Sequence, residues 1–199
     1  QRRTQRCRCE RRADQHHPAV CRVTAYYYIL ASLPALQFGE APPLSTAAVL
    51  AVCSDWLPAS ELTRLRHALT PMPSDAPRDA VGRAWQAWQT ALRNALAVAR
   101  ASRRGSDAAP YLRSDDLPDP VLRAQIQECV KADDPLHAER TLDRLRWDFL
   151  DNLAGIHMFD YHTMVCYLLK LQILERWHAL TREQGMAAFN ALMTGVHPQ

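Results

Sequence analysis

Between Tyr161 and Trp177 the chain offers a helix no wide polar face. At about 100° per residue, Tyr161, Met164, Val165, Leu168, Leu169, Leu171, Ile173, Leu174 and Trp177 point around nearly the whole circumference. Within the run YLLKLQILERW, Tyr167 to Trp177, only Lys170, Gln172, Glu175 and Arg176 are polar or charged. A helix of this composition on a water-facing surface would leave large apolar side chains in water, so the run predicts the central helix of a bundle. Lys170 sits mid-helix among apolar neighbours, where a buried ammonium needs a partner. The nearest carboxylates upstream are Asp148 and Asp151; the alternative is a stem lying on apolar surface with the ammonium in water.

The rest of the chain reads as more helix around that one. Its 199 residues suffice for one substantial core, and only six are glycine. Val23 to Leu33 is rich in tyrosine and β-branched residues and stops at Pro34, a pattern shared by a buried strand and a short helix. Helix is favoured, because a lone strand in a helical protein leaves its backbone groups without partners. Ser45 suits the cap of a helix carrying Val49, Val52, Cys53 and Trp56 and ending before Pro58; Ser60 then opens a helix with Leu62, Leu65 and Leu69. Pro71, Pro73 and Pro77 mark a rigid linker over 70–78.

From Asp79 a long helix presents Val81, Trp85, Trp88, Leu92, Leu96 and Ala99 on one face and closes with Arg100, Arg103, Arg104 and Gly105. Asp119-Pro120 and Asp134-Pro135 open two more, the second with a Leu142, Leu145, Phe149 and Leu153 stripe. Asp160 caps the central helix. Thr181 with Gln184 makes a capping-box signature for a last helix carrying Met186, Phe189, Leu192 and Met193. The expectation is an all-α bundle of about seven helices, a single domain over residues 23–199.

The first 22 residues differ from all of this. Seven arginines stand there against Glu10 and Asp14, with no apolar periodicity, which predicts a basic disordered tail outside the domain. Since the whole chain is only +3, the remainder is net acidic and carries no broad basic face. Cys7, Cys9, His16, His17 and Cys21 lack a structural-zinc spacing, and Cys53, Cys129 and Cys166 read as reduced core thiols on apolar faces. No apolar run reaches the length of a membrane span and no signal-peptide pattern stands out, so the chain reads as a soluble cytoplasmic protein.

The sequence contains no GxxxxGK[ST] loop, GxGxxG, HExxH or GxSxG, which argues against nucleotide hydrolysis. His157, Asp160 and His162, near Asp148 and Asp151, form the densest polar group and have the side chains for zinc or acid/base work. Capping by Asp160 is the simpler account, since the two histidines span a loop-to-helix junction rather than an i, i+4 pair. Trp85 and Trp88 beside Arg93, Arg100, Arg103 and Arg104 suggest base stacking, but both fall on the apolar stripe and read as core. No catalytic, cofactor or metal residues are expected; Lys170, Asp148, Asp151, Glu175 and Arg176 are the structural or interface candidates.

Two blocks carry a resemblance: YYYILASLP at Tyr26 to Pro34, and RWDFLD at Arg146 to Asp151 followed by Phe159, Asp160 and YLLKLQILERW. They resemble the uncharacterised helical family that accompanies bacterial V/A-type ATP synthases, in the place of their C-type stalk component. Residues 36–137 match it in helical character alone. The resemblance implies a non-catalytic central-stalk or assembly component, peripheral at the inner membrane through the ATPase complex, with other ATPase subunits as partners and no cofactor. The competing expectation is a helical nucleic-acid-binding protein using the arginine-rich tail with Arg100, Arg103 and Arg104.

Overall fold

The computed structural model describes residues 18–70, 79–113, 119–132 and 134–195, and every regular element among them is helical. Eight α-helices run in the order α1 (Pro18–Ser32), α2 (Thr46–Trp56), α3 (Ala59–Leu69), α4 (Ala80–Arg104), α5 (Pro120–Lys131), α6 (Pro135–Ala154), α7 (Tyr161–Ala179) and α8 (Arg182–Gly195). One 3-10 turn, Ala109–Tyr111, follows α4. Among the described residues no helix is long and apolar enough to cross a membrane.

The helix above the expected seven is α1. It resolves the strand-or-helix question over 23–33 in favour of helix and begins five residues before that segment, at Pro18, so the tail boundary at residue 22 is corrected. Proline suits a first turn, where its missing N–H leaves no intrahelical bond unmade. Residues 1–17, and with them Cys7, Cys9, His16 and His17 of the cysteine–histidine group, lie outside the described residues, as does most of the proline-rich linker, 71–78.

The helix ends follow the local chemistry closely. Ser45, Asp79, Asp119, Asp134 and Asp160 each accept a backbone N–H with their side chains at the start of a helix, satisfying donors that no intrahelical carbonyl can reach. Gly105 ends α4 at φ 64°, a left-handed step that a side chain would strain. One expected start shifts: α3 opens at Ala59, directly after Pro58, rather than at Ser60. α8 begins directly after Thr181.

The sequence suggests one domain over 23–199; the chain groups into two compact units, residues 1–69 with 156–199, and residues 70–155. In the first unit α7 packs against α1, α2 and α3. Ile29, Val49, Cys53 and Leu65 are buried there with nine residues of α7. In the second unit α5 packs against α4 and α6. Its core joins Leu92, Leu96 and Ala99 to Leu122, Ile126, Cys129 and Leu142, with Trp88, Val130 and Leu145 packed on it. Cys53, Cys129 and Cys166 are buried thiols outside any disulfide, and burial pushes the Cys53 thiol up to about 11, so at neutral pH it stays an unreactive thiol.

Candidate functional site

The most concentrated chemistry lies where the chain enters α7. Phe159 adopts φ 55°, a left-handed conformation rare for an aromatic residue, and its ring packs on Tyr27 with centroids 4.8 Å apart. The turn sets His157 beside Asp160. Asp160 divides its carboxylate: Oδ1 accepts the Thr163 N–H at 2.9 Å and the Thr163 hydroxyl at 3.1 Å, capping α7, while Oδ2 lies 2.6 Å from His157 Nδ1. The same Oδ2 is 4.0 Å from His162 Nδ1. The two imidazoles stack almost parallel, 7° apart with centroids at 4.3 Å.

Burial alone would raise the Asp160 pKa. Hydrogen bonds from the Thr163 amide, the His157 ring and the Thr163 hydroxyl outweigh it and hold the carboxyl below its ordinary 3.8. The expectation that Asp160 serves as a cap is met with one oxygen, and the other is aimed at the histidines.

The five interface candidates lie on two helices, α6 and α7. Glu175 reaches from α7 to the start of α2, where its carboxylate accepts the Thr46 N–H at 2.6 Å and the Thr46 hydroxyl at 2.7 Å. Its role is to hold two helices together. Arg176 is exposed on the same helix, its guanidinium 5.5 Å from the centre of the Trp177 ring. Lys170 is half-buried on α7 in the first unit; Asp148 and Asp151 are exposed on α6 in the second, and Asp148 pairs with Arg144 at 3.0 Å.

Arg100, Arg103 and Arg104 line a groove of about 480 Å³ between α4, α5 and α6, shared with Glu139 and the apolar Leu96 and Val130. Arg103 donates to the Val130 carbonyl at 2.7 Å, tying it to the end of α5. Trp85 and Trp88 stack on one another and on Phe149, with the Trp88 and Phe149 centroids 4.6 Å apart. Both tryptophans are half-buried rather than core residues, and Trp88 packs against the core of the unit.

Two features were not anticipated from the sequence. Tyr26 donates to Glu61 at 3.0 Å, Arg64 lies 3.6 Å from the same carboxylate, and the Arg64 guanidinium sits 3.7 Å over the Tyr161 ring. Three helices meet in that cluster, where Tyr26, Glu61 and Tyr161 are buried and Arg64 is exposed, and no spacing rule connects residues 35 apart. The second is α8: Met186, Phe189, Leu192 and Met193 are 52%, 56%, 69% and 56% exposed. The signal for it existed, because no charged residue occurs from Gln184 to Gly195, where a water-facing helix would carry several.

Residues 102–197 match a protein-family model described as "Protein of unknown function (DUF2764)". The match takes in α5 to α8, and so RWDFLD, the His157–Asp160–His162 junction and YLLKLQILERW; YYYILASLP falls outside it. No curated protein and no solved structure matches the chain.

Proposed function

We propose that the protein is a non-catalytic helical component of a bacterial V/A-type ATP synthase, in a C-type stalk or assembly role, and that it docks its partner through α8. The observation that carries the docking is the exposed apolar face of α8. Met186, Phe189 and Met193 recur at i, i+3 and i+7, the spacing by which a helix lays anchors into an apolar groove, and Leu192 flanks them. Depletion of charge with enrichment in methionine and phenylalanine is the composition of interface cores. The assignment to the ATPase rests on the resemblance of the YYYILASLP and YLLKLQILERW blocks, together with the absence from the sequence of the phosphate-binding motifs that a nucleotide-hydrolysing partner needs.

The test is affinity purification of the tagged protein from its host at moderate salt. Head or stalk subunits of the ATPase are expected in the eluate, and the isolated chain is expected to turn over no ATP. Phe189→Glu combined with Met193→Glu should remove those subunits, because two carboxylates would have to be desolvated in the partner's groove. Recovery of nucleic acid alone, lost steeply as salt rises, would instead favour the arginine-lined groove and the basic tail. ATP turnover by the isolated chain would overturn the non-catalytic reading.

A further inference from the structure

We propose that His157, Asp160 and His162 bind a single first-row divalent transition-metal ion, zinc being the simplest occupant. The donor atoms of the three side chains all lie within 4.8 Å of one another. Around a tetrahedral ion with bonds of about 2.0–2.2 Å, neighbouring donors are about 3.4 Å apart. The two Nδ1-to-Oδ2 distances, 2.6 and 4.0 Å, bracket that value, so rotation of two partly exposed rings brings the set into range. Two imidazoles and one carboxylate suit zinc, cobalt or nickel rather than magnesium or calcium, which prefer oxygen alone.

The surroundings are those of a built ligand set. Asp160 is oriented before any ion arrives, since the Thr163 amide and hydroxyl hold Oδ1 and leave Oδ2 turned to the rings. The Thr163 hydroxyl lies equally 3.1 Å from the His157 carbonyl, so its one proton is shared between Oδ1 and the loop that carries the first histidine. Hydrogen bonds of this kind to a ligating carboxylate and its backbone are the usual support of a metal centre. Both Nδ1 atoms face a single carboxylate oxygen. A proton on His157 satisfies that one pair; His162 stays too far from Oδ2 for a hydrogen bond, whereas one dication engages all three groups. With three protein ligands and an exposed position, the ion keeps at least one site for water or for a donor from another molecule.

The experiment is titration of the purified full chain with Co²⁺ alone, read by its visible absorption, followed by displacement with Zn²⁺. One equivalent is expected. His157→Ala and His162→Ala should each weaken binding at least about tenfold, the lower end of what even a supporting residue contributes. Asp160→Asn separates ligand from cap: asparagine caps a helix about as well as aspartate, so helicity should persist while affinity falls. Absence of stoichiometric binding would overturn the proposal. So would binding unchanged in all three variants with a thiolate-to-cobalt charge-transfer band, which would place the ion on cysteines.

Discussion

Two consecutive helices, separated only by Leu180 and Thr181, use apolar residues in opposite ways. α7 buries nine side chains, with Leu168 and Leu171 wholly out of contact with water. α8 leaves Met186, Phe189, Leu192 and Met193 more than half in it. Hydrophobicity alone does not separate them. In α7 the apolar residues surround the axis and are mostly leucine, isoleucine and valine, so neighbours are needed on several sides; α1, α2 and α3 are among them. In α8 they are methionine, phenylalanine and leucine among Ala187, Ala188, Asn190 and Ala191, a flexible set well suited to a partner's groove. One helix organises its own unit, and the other leaves its apolar side chains exposed, on the face proposed above as the docking surface.

The sharpest test of that contrast is a charge at matched positions. Leu168→Asp or Leu171→Asp places a carboxylate where there is neither water nor a designed partner, and a loss beyond about 4 kcal/mol is expected. Circular dichroism of the variant should show unfolding at room temperature. Leu192→Asp, by contrast, should stay within about 0.5 kcal/mol of the parent, the range of ordinary surface substitutions. A folded Leu168→Asp protein that had merely lost its partner would invert the roles assigned to the two helices.

A smaller effect tests how α7 is tied to its neighbours. Glu175→Ala removes the acceptor of both the Thr46 N–H and its hydroxyl, and hydrogen bonds to a charged group are each worth about 1.5–3 kcal/mol. Glu175 is half-buried and water can replace part of what is lost, so about 1–3 kcal/mol is expected in urea denaturation. A change under a few tenths would mean that the start of α2 does not depend on this link.

The polar cluster beside α7 makes the contrast pH-dependent. Burial first, then the neighbouring Glu61 carboxylate, push the Tyr26 phenol well above its ordinary 10. A phenol that titrates later in the folded state than in the unfolded one lends stability that is complete below about pH 10 and is lost as pH rises beyond it. Stability should therefore decline on the alkaline side, and Tyr26→Phe should flatten that decline. An alkaline profile identical in the two proteins would show that Tyr26 is not the group responsible.

Fold was legible where local chemistry decides it. Helix starts at Ser45, Asp79, Asp119, Asp134 and Asp160 need only a side-chain acceptor in the right register, and the centrality of α7 needs only its lack of a polar face. What joins distant segments was not legible. Glu175 meets Thr46 across 129 residues and Tyr26 meets Glu61 across 35, and nothing in either neighbourhood encodes the encounter. The His157–Asp160–His162 group was visible as composition, but its convergence depends on the left-handed turn at Phe159, a backbone choice that this residue type gives no reason to expect. Periodicity in α8 marks an apolar face without saying whether the chain covers it, and the fold leaves that face exposed.

The smallest stability change should come from α8, and its smallness is informative. Phe189→Glu with Met193→Glu replaces two side chains that are already more than half in water, so little buried surface is lost. Both new side chains are good helix formers, and glutamate replaces a weaker former at Phe189. Thermal unfolding of the isolated double variant should therefore lie within about 0.5 kcal/mol of the parent. Solubility should rise, since the apolar patch is broken by charge. A parent-like midpoint together with lost ATPase subunits assigns the α8 face to a partner. A clear destabilisation of the isolated chain would show that α8 serves its own unit as α7 does, and would leave the docking surface to be sought elsewhere.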